Sequence, residues 1–141
     1  MKHSAILLAA GLICGCATTT NLAASEPHSH AHPALPAGSN EMLRSAISAA
    51  DGLDVIISDV IIPPGAQVPR HYHPGEEFVY IIEGSAVHVE EGKPDQLTEA
   101  GQAFGIPPQA RHAPIGGPDG ARAIVFRVHT AGSPERILTD D

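Results

Sequence analysis

The sequence predicts an all-β fold, a small jelly-roll barrel, and three observations support this. Short runs rich in valine and isoleucine recur through residues 53–129. Breaks that contain glycine or proline separate these runs, and the chain holds 14 glycines and 13 prolines, a composition typical of short strands joined by tight turns. The length of 141 residues is enough for one hydrophobic core and too short for two ordinary domains.

Residues 1–15 have the pattern of an export signal. Lys2 gives a basic start, and residues 5–13 form an apolar stretch that is too short to span a bilayer. Residues 13–16 read Ile-Cys-Gly-Cys and resemble a bacterial lipobox, in which Cys16 is the lipidated first mature residue. Both cysteines of the chain lie here, so no disulfide is expected within the folded domain.

This pattern predicts an exported lipoprotein at the periplasmic face of the membrane, attached to the membrane only through its lipid. The alternative is cleavage after Ala17 or Ala24, which would release a soluble periplasmic or secreted protein. Cys14 is a poorer candidate for lipidation than Cys16 because the bulky Ile13 precedes it.

Residues 16–39 form the next segment, a flexible tether rich in alanine, threonine, proline and histidine. This composition buries too little apolar surface to stay folded by itself. His28, His30 and His32 alternate within the tether and could hold a metal ion loosely. We favour a solvated linker without that role, because a flexible segment loses chain entropy when it chelates an ion.

A short helix is predicted over residues 40–52, followed by the barrel over 53–130 and a C-terminal tail over 131–141. Ser39 or Asn40 can cap the helix. Its apolar residues recur at helical spacing: Met42, Leu43, Ala46, Ile47 and Ala50. Strands of the barrel are predicted at residues 53–62, 68–73, 77–82, 85–91, 96–99, 102–106, 110–115 and 121–129.

Four residues of the barrel have the types and spacing of a metal site. Side chains in a strand alternate sides, so His71 and His73 point the same way. The Pro-Gly-Glu run at 74–76 is typical of a turn, which lets Glu77 bring a carboxylate to the same ion from the next strand. His112 follows a second segment that begins with a glycine, and it supplies a fourth ligand.

These residues stand in two motifs that resemble those of the cupin superfamily. The first motif has its anchors at Gly65, His71, His73, Glu77 and Gly84, and every spacing agrees with the family pattern. Three of these anchors, His71, His73 and Glu77, are also among the four candidate metal ligands identified above.

The second motif agrees with the family pattern in part. Gly101, Pro107 and His112 match it, whereas Gln109 stands where the family has glycine and Gly116 where it has asparagine. The family glycine serves a backbone with φ > 0, which glutamine tolerates less well. The conformation of this turn is therefore the point at which the chain departs from its family.

The resemblance covers roughly residues 53–129 and implies a cupin-type double-stranded β-helix, to which the short N-terminal helix is added. It implies that His71, His73, Glu77 and His112 hold one divalent transition metal ion. Three imidazoles and one carboxylate without sulfur suit iron, manganese, nickel, zinc or copper, and they do not single one out.

Strand parity predicts what faces the barrel interior. If Glu77 faces inward, Val79 and Ile81 do too, and the facing strand contributes Val87 and Val89. The interior is then apolar, with few acids or bases besides the ligands. By the same parity two further histidines are expected at the surface: His88 and His129.

The opposite face of the strand carries Phe78, Tyr80 and Ile82, a patch too apolar to leave exposed. Either the predicted helix or a second subunit covers it, and the resemblance to cupins favours a homodimer. The formal net charge of −8, without clustered lysine or arginine, excludes a nucleic-acid partner. A small-molecule ligand or substrate is the expected partner.

Three functions are compatible with these features. The favoured one is a metal-dependent enzyme that acts on a small organic molecule, dioxygenase-like because an apolar pocket suits oxygen chemistry. In it, Glu77 released from the ion, or the adjacent Glu76, would be the base. The second function is a periplasmic module that binds a metal or a small ligand without turnover. The third is a structural module in which the ion ties strands together.

Overall fold

The computed structural model describes residues 34–140, whose strands are β1 (Gly38–Ala46), β2 (Leu53–Ile62), β3 (His71–Tyr72), β4 (Glu76–His88), β5 (Gln96–Glu99), β6 (Ala103–Ile106), β7 (Ile115–Thr130) and β8 (Ile137–Leu138). Strands β1, β2, β7, β4 and β5 lie in this order in one antiparallel sheet, and β6 pairs with β4. Strands β3 and β8 form a second, two-stranded sheet. The predicted all-β fold is confirmed.

The predicted helix over residues 40–52 is wrong. This segment contains most of β1, which pairs with β2 and has a bulge between Glu41 and Leu43. The bulge changes the alternation of side chains, so Met42, Leu43 and Ala46 have helix-like spacing although they lie in a strand, while Ile47 and Ala50 follow β1. Pairing with β2 satisfies the backbone along the segment, which a short isolated helix would have to do alone. Among residues 34–140, no helix is long and apolar enough to cross a membrane.

Other predicted boundaries have mixed outcomes. Strands predicted at 53–62 and 96–99 are found with those bounds, whereas the strands predicted at 77–82 and 85–91 are one continuous strand. The predicted tail contains β8. The predicted export signal, Cys16 and most of the predicted tether lie outside the described residues.

Strand β4 contains a bulge around Gly84 that reverses which residues face inward. The pairing of β4 with β7 shifts register on both sides of this glycine. Gly84 has a φ of +68°, and a Cβ atom there would lie 2.1 Å from the carbonyl oxygen of Gly120. Before the bulge the odd-numbered residues such as Val79 are buried, and after it the even-numbered residues such as His88 are buried.

This bulge decides the outcome of the parity predictions. The inward orientation of Glu77, Val79 and Ile81 is confirmed by their burial. The inward orientation of Val87 and Val89 is wrong, because the buried residues after the bulge are Ala86, His88 and Glu90. The surface position expected for two histidines is also wrong: His88 is 7% exposed and His129 is 0% exposed.

The interior of the sheet holds a pocket lined by two apolar clusters. The larger cluster consists of Val79, Ile81, Ile106, Ala123 and Val125, and the smaller one of Ile62, Ala86 and Ala121. The pocket they line has a volume of about 90 Å³. Since one ordered water needs roughly 10–15 Å³, a ligand of several non-hydrogen atoms fits inside.

An apolar row crosses the outer face of the sheet. The register aligns Leu43 of β1 with Ile57 of β2, Ile57 with Phe126 of β7, and Phe126 with Phe78 of β4. We call these four residues the outer row. Phe78 is 46% exposed and Phe126 is 40% exposed. Because β1 lies within this sheet, it does not cover the face as the predicted helix was expected to do.

Candidate metal centre

Three histidines meet at one side of the pocket. His71 lies in β3, His73 follows two residues later, and His112 lies in the loop before β7. The backbones of His71 and His112 exchange two hydrogen bonds, of 3.0 and 2.9 Å. All three residues are buried, and one ring nitrogen of each lies within 4.8 Å of those of the other two. The structure thus brings together the histidines that the motif spacing selects.

Backbone carbonyls fix the orientation of the three rings. Each Nδ1 atom donates a hydrogen bond to a carbonyl oxygen: His71 to Pro69 at 2.7 Å, His112 to Ala110 at 2.9 Å and His73 to Glu135 at 2.6 Å. A carbonyl oxygen only accepts, so each Nδ1 carries the hydrogen and each Nε2 is left to bind an ion. Metal-binding histidines are commonly oriented by such a hydrogen bond from the other ring nitrogen.

Glu77, at the start of β4, joins the three rings. Its Oε2 atom lies 2.6 Å from Nε2 of His73 and 2.8 Å from Nε of Arg127. With the ring hydrogen on Nδ1, Nε2 and Oε2 are both acceptors, and Nε2 has no hydrogen-bond donor among the described residues. Two acceptors this close need a cation beside them, either a second proton on the ring or a metal ion. The donor set of three imidazoles and a carboxylate fits a divalent transition metal.

The protonation states of the site also suit a metal ion. Burial by itself raises the pKa of the Glu77 carboxyl, but the contact with His73 and the charge of Arg127 outweigh it and hold this pKa below its usual range. Burial, assisted by the neighbouring His112, lowers the pKa of His71 to about 4. Burial likewise lowers the pKa of His112. At neutral pH the carboxylate is ionised and these two imidazoles are neutral, as metal binding requires.

A buried network of charged groups supports Glu77. Arg127 of β7 donates to Glu77 and to Glu135 at 2.8 Å each, and to the Ser58 hydroxyl at 3.1 Å. Ser39 of β1 donates to the same Glu135 oxygen at 2.6 Å. The network holds the Glu77 carboxylate in place and connects it to the first and last parts of the described chain.

Residues 131–140, predicted to be a tail, form one wall of this site. Strand β8 pairs with β3, the strand that contains His71. The carbonyl of Glu135 holds the His73 ring and its carboxylate holds Arg127. These contacts could not be predicted from the sequence, because His73 and Glu135 are 62 residues apart and belong to no shared motif.

The other titratable residues considered in the sequence analysis lie in different places. Glu76 is exposed at the start of β4 and does not line the pocket, so it is poorly placed to be the base. His88 lines the pocket, and its Nε2 atom lies 3.2 Å from Oε2 of Glu90. His129 packs beside His73, with ring centroids 5.8 Å apart. In the sequence, Gly84 marks a position where a bulge is permitted, and this is the local signal that bears on the inward position of His88.

Comparisons with known proteins agree with this geometry. A model of the cupin domain family matches residues 58–126. Dimethylsulfoniopropionate lyase DddW of Ruegeria pomeroyi is 35% identical over 69 residues, which are 49% of this chain and 45% of that protein. The crystal structure of the lyase DddQ from the same organism has a TM-score of 0.53 and 27% identity, over 64% of this chain and 44% of that one.

The chain spans less than half of the length of either lyase. A cupin-like protein of Thermotoga maritima is more similar in size, with a TM-score of 0.53 over 73% of this chain and 75% of that one. At 20% identity this likeness concerns the fold alone, and it confirms the cupin-type double-stranded β-helix. The chain therefore belongs to the cupin superfamily, as the spacing of its two motifs predicts.

Proposed function

We propose that this protein is a metal-dependent lyase that cleaves a small organic molecule without consuming oxygen. The convergence of three Nε2 atoms with the Glu77 carboxylate is the observation that carries the metal requirement. The lyase class is supported by the relative DddW, whose name assigns it that reaction class. A shared fold alone would not be enough to assign a reaction class, because proteins of one fold carry out many different functions.

His71, His73, Glu77 and His112 are the proposed ligands of one divalent ion: iron, manganese, nickel, zinc or copper. When bound, such an ion supplies Lewis-acid polarisation of a substrate oxygen. The chain contributes orientation, because the three carbonyls fix the rings and Arg127 fixes the carboxylate. The apolar clusters of the pocket keep bulk water away from the reacting groups.

His88 is the proposed proton acceptor. An elimination removes a proton from a carbon next to a carbonyl or carboxylate, forms a carbon–carbon double bond and expels the leaving group with its electron pair. The Glu90 carboxylate accepts the Nε2 hydrogen of His88, which leaves the lone pair on Nδ1. His88 lines the pocket beside His112, with ring centroids 5.5 Å apart.

The dioxygenase hypothesis assumes a pocket with few acids and bases. His88 and Arg127 line the pocket, which weakens that assumption. A dioxygenase and a non-catalytic binding module are the alternative functions, and the following experiment distinguishes them from the lyase.

The experiment starts with elemental analysis of protein purified from its native compartment. Metal-loaded protein is then incubated under nitrogen and under air with dimethylsulfoniopropionate, other β-substituted propionates, small keto acids and catechols, with products followed by proton NMR. We expect an alkene product in both atmospheres. A product formed only under air, with oxygen uptake, would establish the dioxygenase instead, and bound metal without any product would favour the binding module.

The metal ligands are tested by His73→Ala, with His30→Ala as the matched control. We expect His73→Ala to remove the bound ion and to lower the melting temperature of the metal-loaded protein, because one of the proposed ligands is lost. His30 lies in the predicted tether, so its replacement should leave the metal content unchanged. Full metal content in His73→Ala would refute the proposed site.

We also propose export as a lipoprotein through Cys16. The support is the sequence of residues 1–16 alone, with its basic start, apolar stretch and lipobox-like end. Mass spectrometry of the membrane-extracted protein should show an acylated Cys16. A mature protein that begins at Thr18 or Ser25 would establish the soluble form.

A further inference from the structure

One polar side chain of the pocket wall lacks a partner. Thr98 of β5 is 2% exposed and lines the pocket. Its Oγ1 atom has no hydrogen-bond partner within residues 34–140. A buried hydroxyl that faces a ligand cavity without a partner is suited to hydrogen-bond a polar group of the ligand.

A cationic side chain lines the same pocket from the C-terminal segment. Arg136 borders the pocket and is itself exposed. It forms no hydrogen bond or ion pair with any other described residue. Arg127, in contrast, is held by Glu77 and Glu135, and Arg122 by Asp59 and Glu83. Arg136 is therefore the arginine of the pocket that is available to an anionic group.

These two groups border the pocket from opposite edges of the main sheet. Thr98 lies on β5, the last strand of the sheet order, beside Ala86 of β4. The C-terminal segment is tied to β1, the first strand of that order, through the hydrogen bond between Ser39 and Glu135. The strands between these edges line the pocket mostly with apolar side chains, apart from Glu77, His88 and Arg127. A ligand that reaches both needs a polar group at each end and a short carbon chain between them.

We infer that the pocket binds a short-chain carboxylic acid that carries a second oxygen function. Its carboxylate pairs with Arg136, and its hydroxyl or carbonyl oxygen hydrogen-bonds with Thr98. The inference rests on the proposed function and narrows the substrate of that same pocket. A guanidinium suits a carboxylate because it offers parallel donors to both oxygens. The pocket volume of about 90 Å³ restricts the acid to a few carbon atoms.

The test measures binding of two acids, 4-hydroxybutyrate and butyrate, to zinc-loaded protein by calorimetry. We expect the hydroxy acid to bind roughly tenfold more tightly, because only it satisfies the Thr98 hydroxyl. Thr98→Val should abolish this preference and leave the affinity for butyrate unchanged, whereas Thr98→Ser should restore it. Arg136→Gln should weaken both acids roughly tenfold. Arg111→Gln, at an exposed ion pair with Glu91 outside the pocket lining, is the matched control and should change neither.

Each result separates this inference from the proposed function. Zinc content is measured for the wild type and for every variant. A wild-type protein that retains no zinc would contradict the proposed metal site. Protein that retains zinc but binds the two acids equally, or binds neither, overturns the inference and leaves the metal site intact. A preference that persists in Thr98→Val overturns the role of Thr98, and undiminished binding in Arg136→Gln overturns that of Arg136.

Discussion

The Nε2 atom of His73 lies 2.6 Å from the Oε2 atom of Glu77, while Nδ1 of the same ring donates to the carbonyl of Glu135. In metal-free protein this contact is attractive only when the ring carries a second proton. A proton and a metal ion therefore compete for the same place between the two residues. Metal affinity at such a site falls as the solution becomes more acidic.

The stability of metal-free protein should also fall with acidification. The pKa of His71 is about 4 in the folded chain, compared with 6.5 as the ordinary value. Between these values the unfolded chain binds a proton that the folded chain does not, so the free energy of unfolding decreases as pH drops from about 6.5 to about 4. The lowered pKa of Glu77 adds to the loss below its unfolded value.

We expect a loss of about 2 to 3 kcal/mol across this window, at roughly 1.4 kcal/mol per pKa unit. Urea unfolding at pH 7, 5.5 and 4.5 measures it. His71→Gln is the control, because it removes the titrating imidazole and should flatten the slope. A free energy of unfolding that does not change with pH would contradict the buried neutral state of His71.

Arg127→Met should destabilise the fold strongly. Arg127 is buried and is the partner of both Glu77 and Glu135, so its removal leaves two carboxylates without their cation. Breaking a buried ion pair costs about 3–5 kcal/mol. Arg111→Met breaks an exposed pair with Glu91, 3.8 Å apart, and should cost less than about 0.5 kcal/mol. Equal effects of the two substitutions in urea unfolding would show that the buried network adds nothing.

Gln109→Gly should stabilise the protein. Gln109 has a φ of +64° and is the non-glycine residue with positive φ within residues 34–140, at the position where the cupin motif has glycine. Its backbone N–H donates to the carbonyl of His73 at 2.9 Å, which holds it in this conformation. Removing the Cβ should raise stability by about 1 kcal/mol, visible as a rise of a few degrees in Tm. Gln109→Ala retains the Cβ and should give no such gain.

The outer row predicts a homodimer. Leu43, Ile57, Phe126 and Phe78 form an apolar row across the sheet face, and Phe78 and Phe126 are not covered by any other element within residues 34–140. The double substitution Phe78→Ser and Phe126→Ser should convert a dimer into a monomer in sedimentation experiments. Leu97→Ser is the control, because Leu97 is 58% exposed on β5 outside the row. A monomeric wild-type chain would refute the dimer.

Motif spacing predicted the three histidines because strand alternation and a tight turn are local properties of the backbone. Residues 71 and 73 share a face as long as the backbone between them stays extended. The bounds of β2 and β5 were predicted for a similar reason, since turn residues flank both strands. Features of the fold that depend only on residues close together in the sequence could be predicted without coordinates.

Parity failed where the backbone departs from regular alternation. The bulge at Gly84 moved His88 inside, and the bulge in β1 made a strand resemble a helix. A glycine can permit a bulge, but pairing with the neighbouring strand decides whether one forms. Arg127 and Glu135 were missed because their partners are 50 and 62 residues away in sequence.

The position of Glu135 has a consequence for how the protein matures. The six-stranded sheet is complete at Thr130, but the His73 ring and the Arg127 guanidinium are held by a residue that is synthesised later. A chain that emerges N-terminus first can therefore form this sheet before Glu135 reaches the ion site. Removal of residues 131–140 would take away the Glu135 contacts of His73 and Arg127, although all strands of the six-stranded sheet would remain in the chain.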